Sequence, residues 1–149
     1  RSLAGVPALV ATAGAGGRAV VLPRRSRAAT AGVGDGVGPL AQLAGYRMVQ
    51  ESLANAARHA PGAGCTVELD DRDDAEVVLV VRNAATTQVP VRTPGGGTGL
   101  RGMRERAELV GADLRYGPTV HGGWEVRLAL PREPATHPVA GAAGEGRAS

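Results

Sequence analysis

The sequence predicts an α/β domain, a two-layer sandwich in which a mixed, mostly antiparallel sheet is covered on one face by helices. Three observations lead there. Two pairs of strand-like segments, 65–70 with 76–82 and 113–117 with 124–130, lie close enough in the chain to close hairpins. Two segments with helical period, 39–59 and 99–110, alternate with those pairs. And 149 residues suffice for one domain with a proper core, but not for two comfortable ones.

Taken in order, residues 3–13 (LAGVPALVATA) read as a short apolar helix interrupted or started near Pro7, followed by a glycine-rich turn at Gly14, Gly16 and Gly17. A brief strand is expected over 18–22 and an exposed connection over 23–38, where Arg, Ala, Gly and Thr follow one another without period. The long helix should run from Pro39 to about His59 and stop at Pro61-Gly62. Within it Leu43, Tyr46, Val49, Leu53, Ala56 and Ala57 recur three or four residues apart and are expected to face the core.

Cys65, Val67 and Leu69 alternate with polar residues, the period of a half-buried strand. After a charged turn at Asp70-Asp71-Arg72-Asp73-Asp74, the run EVVLVVR (76–82) should be a central strand buried on both faces. From 83 to 98 both periods vanish and Pro90, Pro94 and Gly95-Gly96-Gly97 appear, which suits a lid or binding loop. A helix follows with Leu100, Met103, Ala107 and Val110 on one side, and then a second hairpin ending at Pro131. The domain is thus expected over 1–131, with 132–149, rich in Ala, Gly and Pro, as a disordered tail.

Composition narrows the function classes. The chain has no Phe, one Trp and two Tyr, so the core must be aliphatic and alanine-rich. All 17 basic residues are arginine and the net charge is +3, but they are scattered and almost no aromatics interleave with them, so nucleic-acid binding is not expected. Cys65 is the lone cysteine, which fits a reducing compartment. No apolar run approaches the roughly 20 residues of a membrane span and no signal peptide is visible, so a cytoplasmic domain is expected. The chain starts at Arg1, not Met, and reads as a piece of a longer protein whose upstream part could be anchored in the cell membrane.

The stretch YRMVQESLANAARHA (46–60) carries the chemistry. At roughly 100° per residue Glu51, Asn55 and Arg58 fall in a narrow arc expected to face away from the packing stripe, with His59 at its edge. A carboxylate, a carboxamide and a guanidinium in successive turns can offer a proton acceptor, a hard oxygen ligand and a phosphate contact. A solvated helix face would carry similar residues, so the order of blocks decides. Glu51-x-x-x-Asn55-x-x-Arg58-His59 is followed by Asn83-Ala84-Ala85 straight after a strand. Last comes Gly97-Thr98-Gly99-Leu100-x-Gly102-Met103-Arg104-Glu105-Arg106, opening a helix.

This order resembles the catalytic and ATP-binding domain of bacterial two-component sensor histidine kinases, members of the Bergerat-fold (GHKL) ATPases. The wording GMRERAELVGADL is similar to the subfamily that pairs with response regulators carrying helix-turn-helix output domains. The resemblance covers about 3–131 and implies ATP and Mg²⁺ as ligands, a cognate response regulator as partner, and a homodimer formed through an upstream dimerisation domain. It implies Asn55 as the Mg²⁺ ligand, Glu51 as the group that holds or polarises a water, and Arg58 and His59 beside the nucleotide. Gly97, Thr98, Gly99, Leu100 and Gly102 would form the phosphate turn, where glycine lets backbone approach anionic oxygens and a helix N-terminus presents free N–H groups.

One departure is Asn83, which stands where the family commonly has the Asp that accepts a hydrogen bond from the adenine amino group. Its carbonyl oxygen can still accept, but losing a charge-assisted bond weakens ATP by about 1 to 2 kcal/mol, roughly ten-fold. Nor does any histidine fit the family's phosphoacceptor: His59 belongs to the first block, His121 to a turn and His137 to the tail. Two other readings share this order of blocks, an anti-sigma-factor-type serine kinase and a degenerate interaction module that has lost ATP.

Overall fold

The computed structural model describes residues 1–15, 20–21, 24–25, 34–86 and 98–133. A 3₁₀ turn at Leu3–Gly5 leads into α1 (Val6–Ala15), with Pro7 in its first turn, where a missing N–H costs nothing. Gly14 lies inside α1 rather than in the expected turn; Gly16 and Gly17 are outside the described residues. Two short strands follow, β1 (Val20–Val21) and β2 (Arg24–Arg25), the second within the stretch read as a bare connection. Then come α2 (Pro39–His59), β3 (Cys65–Asp70), β4 (Glu76–Asn83), α3 (Thr98–Leu109), β5 (Asp113–Pro118) and β6 (Trp124–Pro131).

The sheet order is β1-β3-β4-β6-β5, with β2 also pairing β3. Both predicted hairpins form, and the strands from β3 to β5 are antiparallel neighbours. Only β1 and β2 run parallel to β3, which makes the sheet mixed but mostly antiparallel, as expected. Two-residue periodicity divides its faces. Val67, Leu69, Val77, Leu79, Val81, Val126, Leu128 and Leu130 are buried and meet Leu3, Val6, Met48, Val49, Met103 and Ala107. The other face carries the Arg82–Glu125 pair at 2.9 Å and the Arg115–Asp113 pair at 3.0 Å. In β4, Val80 is buried on that second face and Val78 only half-buried, so the run is less enclosed than its composition predicts.

The buried side of α2 differs from the predicted stripe. Ala41, Ala44, Gly45, Met48, Val49, Ser52 and Ala56 are the buried residues, whereas Leu43, Tyr46 and Leu53 are half-buried and Ala57 is exposed. The true face is rotated by about one residue, roughly 100°. The physical reason is a second helix: the larger Tyr46 and Leu53 border a groove against Ala8, Leu9 and Thr12 of α1, while small residues let α2 settle close to the sheet. An added Cβ on Gly45 would stand 2.9 Å from both Leu130 Cδ1 and Leu3 Cδ2.

The ordered chain also runs past the expected boundary at 131. Arg132 donates through Nε to the Asp73 carbonyl at 2.9 Å, through Nη2 to that of Asp71 at 2.7 Å, and through Nη1 to that of Asp35. The backbone N–H of Glu133 reaches the Gly36 carbonyl at 2.6 Å. Residues 134–149, expected as a tail, lie outside the described residues.

Candidate functional site

A cavity of about 450 Å³ opens between α2, the start of α3 and the adjacent ends of β4 and β6. Ser52, Asn55, Ala56 and His59 form its α2 wall, Val81 and Val126 its floor, and Leu100 the α3 side. Asn83, Ala84, Ala85 and Thr86 make one rim, and Pro118, Gly122, Gly123 and Trp124 the other. The rotation of α2 puts Asn55 there. Because the buried face lies about one residue from the apolar stripe, Asn55 borders the core instead of opposing it.

The rims are fixed by hydrogen bonds of backbone and threonine hydroxyls. The Ala84 N–H donates to the Gly64 carbonyl at 3.0 Å, and Thr86 Oγ1 donates to the Pro61 carbonyl at 2.8 Å, which ties the exit of β4 to the end of α2. Opposite them the turn between β5 and β6 closes through Thr119 and Gly123. Thr119 N–H meets the Gly123 carbonyl at 3.0 Å, and Gly123 N–H meets Thr119 Oγ1 at 2.9 Å. Gly123 is buried, and an added Cβ would overlap the Asn83 carbonyl oxygen, so glycine is required for the two strand ends to meet.

Glu51, Asn55 and Arg58 come together as the sequence predicts. Arg58 Nη2 donates to Asn55 Oδ1 and lies 3.6 Å from Glu51 Oε2, all three side chains being half-buried. The Glu51 carboxylate also packs against Gly99, where an added Cβ would sit 2.8 Å from its carboxyl carbon. A carboxylate beside the first turn of a helix is favoured by the helix dipole. Leu100 lines the cavity, whereas Gly102 lies further along α3 beside Arg106. Gly97 and the side chain of Thr98 are outside the described residues, as is 87–97, the middle of the expected lid. His59 is exposed at the cavity edge, and Asn83 donates through Nδ2 to the Ala84 carbonyl at 3.0 Å, which leaves Oδ1 as the acceptor it offers.

Helix α3 is held by a clasp the sequence did not reveal. Arg104 donates to Tyr116 Oη at 2.6 Å with its guanidinium 5.3 Å from the ring centre, and Tyr116 stacks on Trp124 at 6.1 Å. The hydrogen bond to Tyr116 moves the Arg104 pKa above the ordinary arginine value. Sequence reasoning also missed Ser52, a hydroxyl only 4% exposed in the cavity wall, whose Oγ finds no hydrogen-bond partner among the described residues. A hydroxyl next to Glu51 in a helix otherwise rich in alanine was the available signal, as was the Gly122-Gly123 pair in the second hairpin.

The lining suits a nucleotide on two observations. A buried hydroxyl without a partner among the described residues lines the cavity, and the Asn55 amide oxygen, which here accepts from Arg58, stands on its α2 wall. Among the described residues no cluster of three His, Cys, Asp or Glu side chains could hold a metal by itself. Nor is any described helix long and apolar enough to cross a membrane.

Residues 41–134 match the family described as histidine kinase-, DNA gyrase B-, and HSP90-like ATPase. Sensor protein VraS of Staphylococcus aureus is 30% identical over 86 residues, which are 58% of this chain and 24% of VraS. Sensor histidine kinase YxjM of Bacillus subtilis is 32% identical over 87 residues, 58% of this chain and 20% of YxjM. The chain therefore spans a quarter or less of the length of these relatives. Among solved structures, the catalytic domain of histidine kinase ThkA superposes with a TM-score of 0.62 at 12% identity, covering 90% of this chain and 96% of that one. At that identity the likeness establishes the fold.

Proposed function

We propose, from the premise that this chain belongs to the histidine kinase-, DNA gyrase B-, and HSP90-like ATPase family, that its cavity binds Mg·ATP as the catalytic domain of a sensor histidine kinase. The observation that carries the reading is the cavity of about 450 Å³ bounded on one side by Asn55 and on another by the beginning of α3. Bound Mg·ATP supplies the phosphoryl group and a countercharge. The chain's own residues supply position. Asn55 offers its amide oxygen to the cation and Glu51 a carboxylate to a neighbouring water. Arg58, which now bridges both, has further guanidinium donors for a phosphate oxygen. The N-terminus of α3 contributes backbone N–H groups and a positive dipole end, with Gly99 allowing the close approach to Glu51.

The γ-phosphoryl group would pass to a histidine beyond this chain, in line, with ADP as the leaving group. His59 ends α2 at the cavity edge, as part of the nucleotide block itself, and His121 lies in the exposed turn after β5. The acceptor is then expected on a dimerisation domain, and a response regulator with a helix-turn-helix output domain would receive the phosphate in turn. The segment 83–98, of which 87–97 lie outside the described residues, is proposed as the lid. Titrating Mg·ATP into the wild-type chain and Asn55→Ala by calorimetry tests the site. A loss of at least ten-fold is expected, and equal affinities would overturn the assignment.

A further inference from the structure

We propose that Ser52 reads the base of the nucleotide, an inference that rests on the function proposed above. Ser52 is 4% exposed, lines the cavity, and its hydroxyl has no hydrogen-bond partner among the described residues. That is a costly arrangement. A buried hydroxyl without a partner forfeits its water bonds, and a helical serine ordinarily recovers one from the carbonyl four residues back, which Ser52 does not.

The surroundings say what the partner is. Ser52 sits at the middle of the sheet-facing side of α2, one turn before Asn55 and about 60° around the helix from it. Nearby cavity walls are Ala56, Val81 and Val126, all buried and apolar, with the Trp124 ring at the rim. A phosphate or a hydroxyl-rich sugar would lose its hydration against such a floor. A flat heteroaromatic base buries its faces there and needs only one or two polar groups for its edge. Asn83 Oδ1, left as acceptor by the bond from Nδ2 to Ala84, offers a second contact on the same cavity. The Ser52 hydroxyl and the Asn83 amide are thus the two polar groups that would meet the edge of the base.

The test compares Ser52→Ala and Ser52→Cys with wild type in the 149-residue chain, using Mg·ATP and, as a probe without a base, Mg·tripolyphosphate competing against ATP. Affinity for Mg·ATP should fall about three- to ten-fold in both variants while tripolyphosphate competes as before. Without nucleotide, the thermal midpoint of Ser52→Ala should hold or rise by about 2 to 5 °C, because an unpartnered hydroxyl has been removed. A merely structural serine would lower the midpoint together with the affinity. ATP affinity within two-fold of wild type, or equal losses for ATP and tripolyphosphate, would overturn the role of Ser52 alone. Absence of Mg·ATP binding by the wild-type chain would overturn the parent reading and this one with it.

Discussion

Replacing Gly123 by alanine tests fold and site together. The added methyl would overlap the Asn83 carbonyl oxygen and stand 3.1 Å from Thr119 Oγ1. Gly123 is not among the glycines with positive φ, so the cost is one of space and not of backbone angle. The obstacle is backbone and cannot swing aside as a side chain does. Asn83 is paired with both Trp124 and Cys65, and the next N–H is bonded to Gly64. Overpacking of a buried site costs about 1 to 3 kcal/mol, and a rigid neighbour puts Gly123→Ala near the top, about 3 kcal/mol. The thermal midpoint should then fall by about 10 °C. Because Asn83 and Gly123 form facing rims of the cavity, Mg·ATP affinity should also drop at least ten-fold. Gly117→Ala is the control: its Cβ would meet nothing within 4 Å, and its effect should stay within about 0.5 kcal/mol. Urea melts and calorimetric titrations of both variants provide the measurements. If Gly123→Ala behaves like Gly117→Ala, the close approach of the two strand ends is not what shapes the cavity.

Two further outcomes concern the scaffold. Arg132→Ala removes a half-buried guanidinium shared among the carbonyls of Asp35, Asp71 and Asp73, and should cost about 2 to 3 kcal/mol in urea denaturation. Arg132→Lys should recover only part of it, since an ammonium lacks the planar fork; full recovery would refute the three-way contact. Gly45→Ala gains about 1 kcal/mol of helix propensity but crowds Leu3, Leu79 and Leu130, so a net loss of about 1 kcal/mol is expected, and a more stable variant would contradict the packing described.

Much of the fold was legible because its signals are local. The alternation of Cys65, Val67 and Leu69, the β-branched run 76–82 and the stops at Pro61-Gly62 and Gly111 need no distant partner to be read. The Glu51, Asn55 and Arg58 cluster was legible for the same reason, since residues three and four apart on a helix must be neighbours. The core face of α2 was misread because two layers compete for it. Leu43, Tyr46 and Leu53 carry the larger apolar area, yet the sheet takes the small residues, and nothing in the helix alone says that α1 will cover the rest. Arg132 was assigned to a tail because a run of Ala, Gly and Pro around it hides a contact with residues 59 to 97 positions away.

By itself the sequence determined the long helices and the four strands of the two hairpins, their order, and the polar cluster on the longest helix, all consequences of period and short spacing. Only the tertiary structure decided which side of that helix meets the sheet, and therefore that Ser52 turns inward, that Gly123 lets β4 and β6 touch, and that a cavity remains between them. Those are properties of close packing between segments far apart in the chain, where a methyl group more or less decides the outcome, and no local pattern of residues encodes that fit.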